Sequence, residues 1–131
     1  MKTIASIIIA LVLTTGFATA QKVGTLTFKY SVINIVKGYD HNSKLVIYED
    51  GKMIGESTEH LESKPNSVSV KLSQGKHQIK AVLTSLYEGK WEEHTIANTY
   101  SIDCLFEDEV NIKKKKTITL VFDIDKGTII K

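Results

Sequence analysis

The side chains in this sequence with the capacity for chemistry are few, and most stand alone. Four histidines, His41, His60, His77 and His94, are candidates for metal ligation or acid-base work. No two fall at the short spacing that sets a pair of ligands on one helix face or at one strand end. His77 and His94 share the inward phase of their segments and would be the two to meet across a sheet. With no cysteine or carboxylate cluster beside them, they read as hydrogen-bonded histidines, and no metal site is assigned. The single cysteine, Cys104, needs a histidine partner to act as a nucleophile. It lies between Ile102 and Phe106 in the apolar phase, where cysteine behaves as a small buried hydrophobe. Serines are numerous, yet none stands in the Gly-x-Ser-x-Gly elbow that lifts a nucleophile above a sheet.

Glu92-Glu93 and Glu107-Asp108-Glu109 place carboxylates side by side in sequence. Adjacent strand residues point to opposite faces, so these neighbours are poorly placed as an acid/base pair. Asp123-Ile124-Asp125-Lys126-Gly127 begins like a calcium loop but lacks the third oxygen ligand and the distal glutamate. No glycine-rich phosphate loop or dinucleotide fingerprint occurs. The sequence therefore reads as that of a non-enzyme, with no catalytic residue, metal or cofactor assigned.

Recognition has better candidates. Tyr87 and Trp91 flank a Glu88-Gly89 turn, and a hairpin there is expected to set them opposite one another. Such a pair is either a cross-strand contact worth about 0.5–1 kcal/mol or an exposed platform for stacking a sugar or gripping a partner. These two are the expected binding residues. Lys113, Lys114, Lys115 and Lys116 follow three acids, the pattern of a solvated turn that also guards the last strand against edge pairing.

The elements that must position these residues come from a chain of 131 residues, 42% hydrophobic and 24% charged. That is one domain's worth of core, without disulfide staples. The 17 basic residues are all lysines against 15 acids, for a net charge of +2. The absence of arginine, with its planar fork for phosphate and guanine, argues against nucleic-acid recognition. At the start, Met1-Lys2-Thr3, an apolar run over residues 4–13 and Ala18-Thr19-Ala20 form the pattern of a cleaved export signal. Thr14, Thr15 and Gly16 end the apolar run short of the about 20 residues a membrane anchor needs. Residues 1–20 are thus expected to be removed, leaving residues 21–131 as a single domain, periplasmic or extracellular, with no membrane anchor.

The mature chain alternates with the period of strands. Leu26, Phe28, Tyr30 and Val32 share one face, and the phase shift at Ile33 and Ile35 predicts a bulge or a change of sheet. A strand over residues 44–49 turns at Asp50-Gly51 into a partner over residues 53–57. The polar loop over residues 58–66 is the expected crossing between sheets. Val68, Val70 and Leu72 then turn at Gln74-Gly75 into Ile79, Ala81 and Leu83, a predicted second hairpin. Beyond the third turn, Ile96, Tyr100, Ile102, Cys104 and Phe106 share a phase in a long extended stretch, with a bend at Asn98. Ile118, Leu120, Phe122 and Ile124 form the final strand. Short strands with frequent turns predict an all-β fold, an antiparallel Ig-like β-sandwich, with a small closed β-barrel as the alternative.

The run Leu45-Val46-Ile47-Tyr48-Glu49-Asp50-Gly51-Lys52-Met53-Ile54-Gly55, followed after a loop by Val68-Ser69-Val70-Lys71-Leu72-Ser73-Gln74-Gly75-Lys76-His77-Gln78-Ile79-Lys80-Ala81, resembles PEGA-type domains, small exported β-sandwich modules of bacteria. The resemblance extends over about residues 45–124. Gln74-Gly75-Lys76 occupies the turn where that family carries its proline motif, and residues 87–109 make a longer return. The resemblance implies a binding or spacer module and carries over no catalytic residue. The expected function is an exported, non-catalytic sandwich binding a protein or a cell-envelope polymer. A barrel enclosing an apolar ligand among Tyr100, Phe106 and Phe122, and a hydrolase or inhibitor with an unrecognised site, are the alternatives.

Overall fold

A computed structural model describes residues 21–131; the expected export signal, residues 1–20, lies outside the described residues. Ten strands account for most of the described residues: β1 (Val23–Ile33), β2 (Asn42–Glu49), β3 (Lys52–Glu56), β4 (His60–Leu61), β5 (Asn66–Ser73), β6 (Gly75–Tyr87), β7 (Lys90–Glu93), β8 (Leu105–Ile112), β9 (Lys115–Asp123) and β10 (Gly127–Ile130). A single 3-10 turn, Ile96–Asn98, is the only helical piece among the described residues. No described helix is long and apolar enough to cross a membrane.

The strands form two sheets. One has the order β10-β9-β1-β5, and the other runs β3-β2-β6-β7, with β4 also on β2 and β8 also on β6. β6 is long enough to hold two partners on one side: Gly75 to Val82 pair with β8, and Thr84 to Tyr87 pair with β7. The inward rows follow from the period of two. Leu26, Phe28 and Tyr30, with Val68, Val70 and Leu72 and with Ile118, Leu120 and Phe122, face Leu45, Ile47, Ile79, Ala81, Leu83, Phe106, Val110 and Ile112 across one core. Each such side chain taken out of water contributes about 1.5–3 kcal/mol. Phe28 and Phe106 lock the layers edge-to-face at 5.5 Å between ring centres.

This is an all-β, two-layer, sandwich-like architecture. Neither sheet closes on itself, so the closed-barrel alternative is not what the chain adopts. Phe106 and Phe122 lie in the core between sheets, whereas Tyr100 lies on a loop outside it. The pairing is not wholly antiparallel either, because β1 and β9 run parallel from Thr25 opposite Lys115 to Ile33 opposite Asp123. Parallel neighbours need a long connection, and the whole second sheet supplies it.

Two local expectations are corrected and one open alternative is decided. Gln74-Gly75 does not close a hairpin: β5 pairs with β1 and β6 with β2, so this turn crosses between the sheets, as residues 62–65 also do; the loop expected over residues 58–66 carries the short strand β4 on β2 before it crosses. Of the two alternatives at Ile33 and Ile35, the change of sheet is the one adopted: Ile33 ends β1 without a bulge, Asn34 adopts a left-handed φ of 60°, and the next strand, β2, belongs to the other sheet. The stretch expected to be extended through Ile96 and Tyr100 is a loop containing the 3-10 turn, and Ile96 is exposed.

Candidate functional site

The edge strand beside β6 is interrupted once. His94 N–H donates to Leu83 O at 2.8 Å, Leu83 N–H donates to Cys104 O at 2.9 Å, and Cys104 N–H donates to His94 O at 2.9 Å. These bonds pinch the base of an excursion over residues 95–103 that joins β7 to β8. Inside it, Asp103 Oδ1 accepts the Ile96 N–H, Asn98 Nδ2 donates to Glu93 O, and Thr99 takes a left-handed φ of 72°. The result lays Tyr100 over His94, with ring centres 4.0 Å apart.

Two other connections meet this excursion at the same end of the sandwich. The loop after β1 is held by Asn34 Nδ2 donating to Asp123 Oδ1 at 2.9 Å, and it brings Ile35, Val36, Tyr39 and His41 forward. The crossover between the sheets is fastened to that loop by Glu62 N–H on His41 O and Ser63 N–H on Asp40 Oδ1. Between them lies a cleft of about 370 Å³, walled by Ile35, Val36, Tyr39, His41, Tyr87, Glu92, Tyr100 and Ile124 and floored by Glu62 and His94. That volume is within the range of small-molecule sites.

The floor is polar and nearly sealed. Glu62 is 3% exposed, and its Oε1 accepts from Ser85 Oγ at 2.6 Å. His94 Nδ1 lies 3.7 Å from the same oxygen, beyond hydrogen-bonding reach. It has no other partner, and it is the one buried side-chain nitrogen or oxygen among the described residues left unsatisfied. On the wall, Tyr100 OH donates to Glu92 Oε1 at 2.8 Å. Burial, and then the Glu92 carboxylate, push the Tyr100 phenol far above its ordinary range, so it remains a neutral donor. At the rim, His41 packs edge-on to both Tyr39 and Tyr87, at 6.2 and 5.4 Å.

The two expected binding residues are separated by strand register. Trp91 pairs with Leu86, and Tyr87 with Lys90, so Tyr87 and Trp91 are not opposite one another. Tyr87 turns toward the cleft and Trp91 to the outer face of the sheet, where Lys44 Nζ sits 4.6 Å over its ring. Trp91 is 38% exposed.

His77 and His94 lie toward opposite ends of β6 and do not meet. His77 Nδ1 contacts the Glu49 carboxylate and Nε2 faces Ser73 O at 2.7 Å. His60 Nε2 is 2.6 Å from Tyr30 OH, itself bonded to Ser57. Among the described residues no three histidine, cysteine, aspartate or glutamate side chains are grouped to hold a metal. Asp123 Oδ1 is taken by the Asn34 amide and the Asp125 N–H. Cys104 is fully buried, and desolvation pushes its thiol far up. Sequence reasoning missed Glu62 and Tyr39, and weighed His41 only as a metal ligand or acid-base group; the signal was the concentration of tyrosine and histidine in segments without strand alternation. No protein-family model matches the chain, and no curated protein matches it.

Proposed function

We propose that this protein is an exported, non-catalytic binding module of the PEGA-like type that uses the end cleft to hold a group presented by a protein or cell-envelope partner. The observation that carries this reading is the floor of the cleft. A buried carboxylate and an unpartnered histidine nitrogen sit behind aromatic walls, and buried polar atoms without partners are rare unless something else supplies the hydrogen bond. A hydrolytic reading is less well supported. Ser85 Oγ is fully buried and donates to Glu62, with no histidine bonded to it, so it does not present the accessible serine–histidine pair of a hydrolase.

The test compares capture of envelope components by wild-type protein, Tyr100→Leu and Trp91→Ala. The cleft reading expects retention by Trp91→Ala and loss by Tyr100→Leu. The reverse pattern would move the binding surface to the outer face of β7. Mass spectrometry of the exported protein is expected to find Gln21 at its N-terminus; a chain still carrying residues 4–13 would remove export with cleavage from the proposal.

A further inference from the structure

Ammonium groups inside this molecule repeatedly settle in one kind of place. Lys44 Nζ lies over the Trp91 ring at 4.6 Å and 3.2 Å from Glu56 Oε2. Lys80 Nζ lies 5.9 Å from the centre of the Tyr48 ring and 3.9 Å from Glu93 Oε1. In both, an aromatic face and a carboxylate hold a cation, the first through the ring quadrupole and the second through charge.

The end cleft assembles the same components with no lysine in its lining. Tyr39, Tyr87 and Tyr100 supply rings, and Glu62 and Glu92 supply carboxylates. Donation from Tyr100 OH to Glu92 leaves electron density on that ring, which deepens the negative face it offers a cation. His94, nine-tenths buried at the floor, has its Nδ1 without a hydrogen-bond partner, 3.7 Å from Glu62 Oε1. Desolvation by the surrounding rings strengthens each of these attractions relative to open water.

We infer that the cleft binds an organic cation, an alkylated or methylated ammonium group carried by a small molecule or a partner's side chain. This rests on the cleft being the binding site. An anionic ligand would meet two carboxylates and no fixed positive charge. A neutral apolar ligand would fill the rings but bring no counter-charge to Glu62 and Glu92.

Three probes of nearly equal shape separate the possibilities: choline, its neutral isostere 3,3-dimethylbutan-1-ol, and the anion 3,3-dimethylbutanoate. Each is titrated into the mature chain while NMR shifts are followed at Tyr39, Tyr100 and His94. Choline is expected to bind saturably at these residues, about tenfold or more tightly than the alcohol, with the anion weakest. Tyr100→Leu and Glu92→Gln are each expected to weaken choline by about tenfold. Glu92→Gln alters a partly buried side chain and keeps the fold readable if Tyr100→Leu does not. Equal binding of choline and the alcohol, or preference for the anion, would overturn the cation while leaving the cleft as a site. No saturable shift at these residues with any probe at millimolar concentration would overturn both readings.

Discussion

The two ends of the sandwich each place a histidine beside a glutamate, and they treat the pair differently. At one end, His77 has both ring nitrogens engaged, one by Glu49 and one by Ser73 O, although the side chains are 13% and 25% exposed. At the other, His94 and Glu62 are only 7% and 3% exposed, yet they stand 3.7 Å apart with Nδ1 unpartnered. Stability alone favours the opposite, since a polar atom costs more unpaired the deeper it lies. One end is finished by the fold. The other keeps polar capacity in reserve, which is what a binding site needs and a structural pair does not.

The largest expected effect is at the finished end. Gly24 lies against the β8–β9 turn, where a Cβ would fall 2.1 Å from Lys113 O and 2.7 Å from Ile112 Cγ2. Backbone cannot yield as a side-chain tip can, so Gly24→Ala should cost about 2–4 kcal/mol in denaturant unfolding. A loss below about 0.5 kcal/mol would mean that this end is looser than its contacts imply.

Exchanging carboxylate for amide at each end tests the contrast directly. Glu49→Gln weakens a satisfied charge-assisted contact and should cost about 1–2 kcal/mol. Glu62→Gln keeps an acceptor for Ser85 Oγ and removes a buried charge. It should be neutral or stabilising by up to about 1 kcal/mol. Equal losses in the two variants would erase the distinction between the ends.

Trp91 offers a smaller effect. Half-exposed on the outer face, with Lys44 over its ring, it should cost about 1 kcal/mol on truncation to alanine. A core tryptophan would cost about 3–5 kcal/mol. Its fluorescence should be red-shifted and readily quenched; blue-shifted, quencher-resistant emission would place it in the interior.

The sheets were legible in the sequence wherever one local rule sufficed. Alternation in β1, β5 and β9 identifies their buried faces. Asp50-Gly51 and Glu88-Gly89 close hairpins, with φ of 49° and 79° in the first and 50° and 79° in the second. Gln74-Gly75 misled because a glycine marks a turn without saying which sheet the next strand joins. Residues 96–106 misled because alternating apolar residues also suit a loop that tucks Cys104 inward while leaving Ile96 outside. The cleft was illegible because its walls come from connections and strand ends far apart in the chain, none of which carries the whole set of side chains.

The finest test concerns how the open end is held in place. The Asn34 amide and, less strongly, the backbone N–H groups of Asp125 and Lys126 hold the Asp123 carboxyl below the ordinary range of about 3.9. A carboxyl lowered by folding contributes stability above its unfolded pKa and loses it as the pH falls through the folded one. The tether on the loop before β2 should therefore be intact at neutral pH and released only in acid, below about pH 4. Asn34→Gly removes the donor while tolerating the left-handed φ of 60° at that position. In the wild type the amides of Ile35 and Tyr39 should follow the Asp123 curve; in this variant Asp123 should titrate closer to about 3.9 by NMR and those amides should no longer follow it. Gln74, in the crossover at the His77 end, should not respond to that titration. An unchanged Asp123 curve would show that Asn34 does not set the carboxyl, and a response at Gln74 would show that the two ends are coupled.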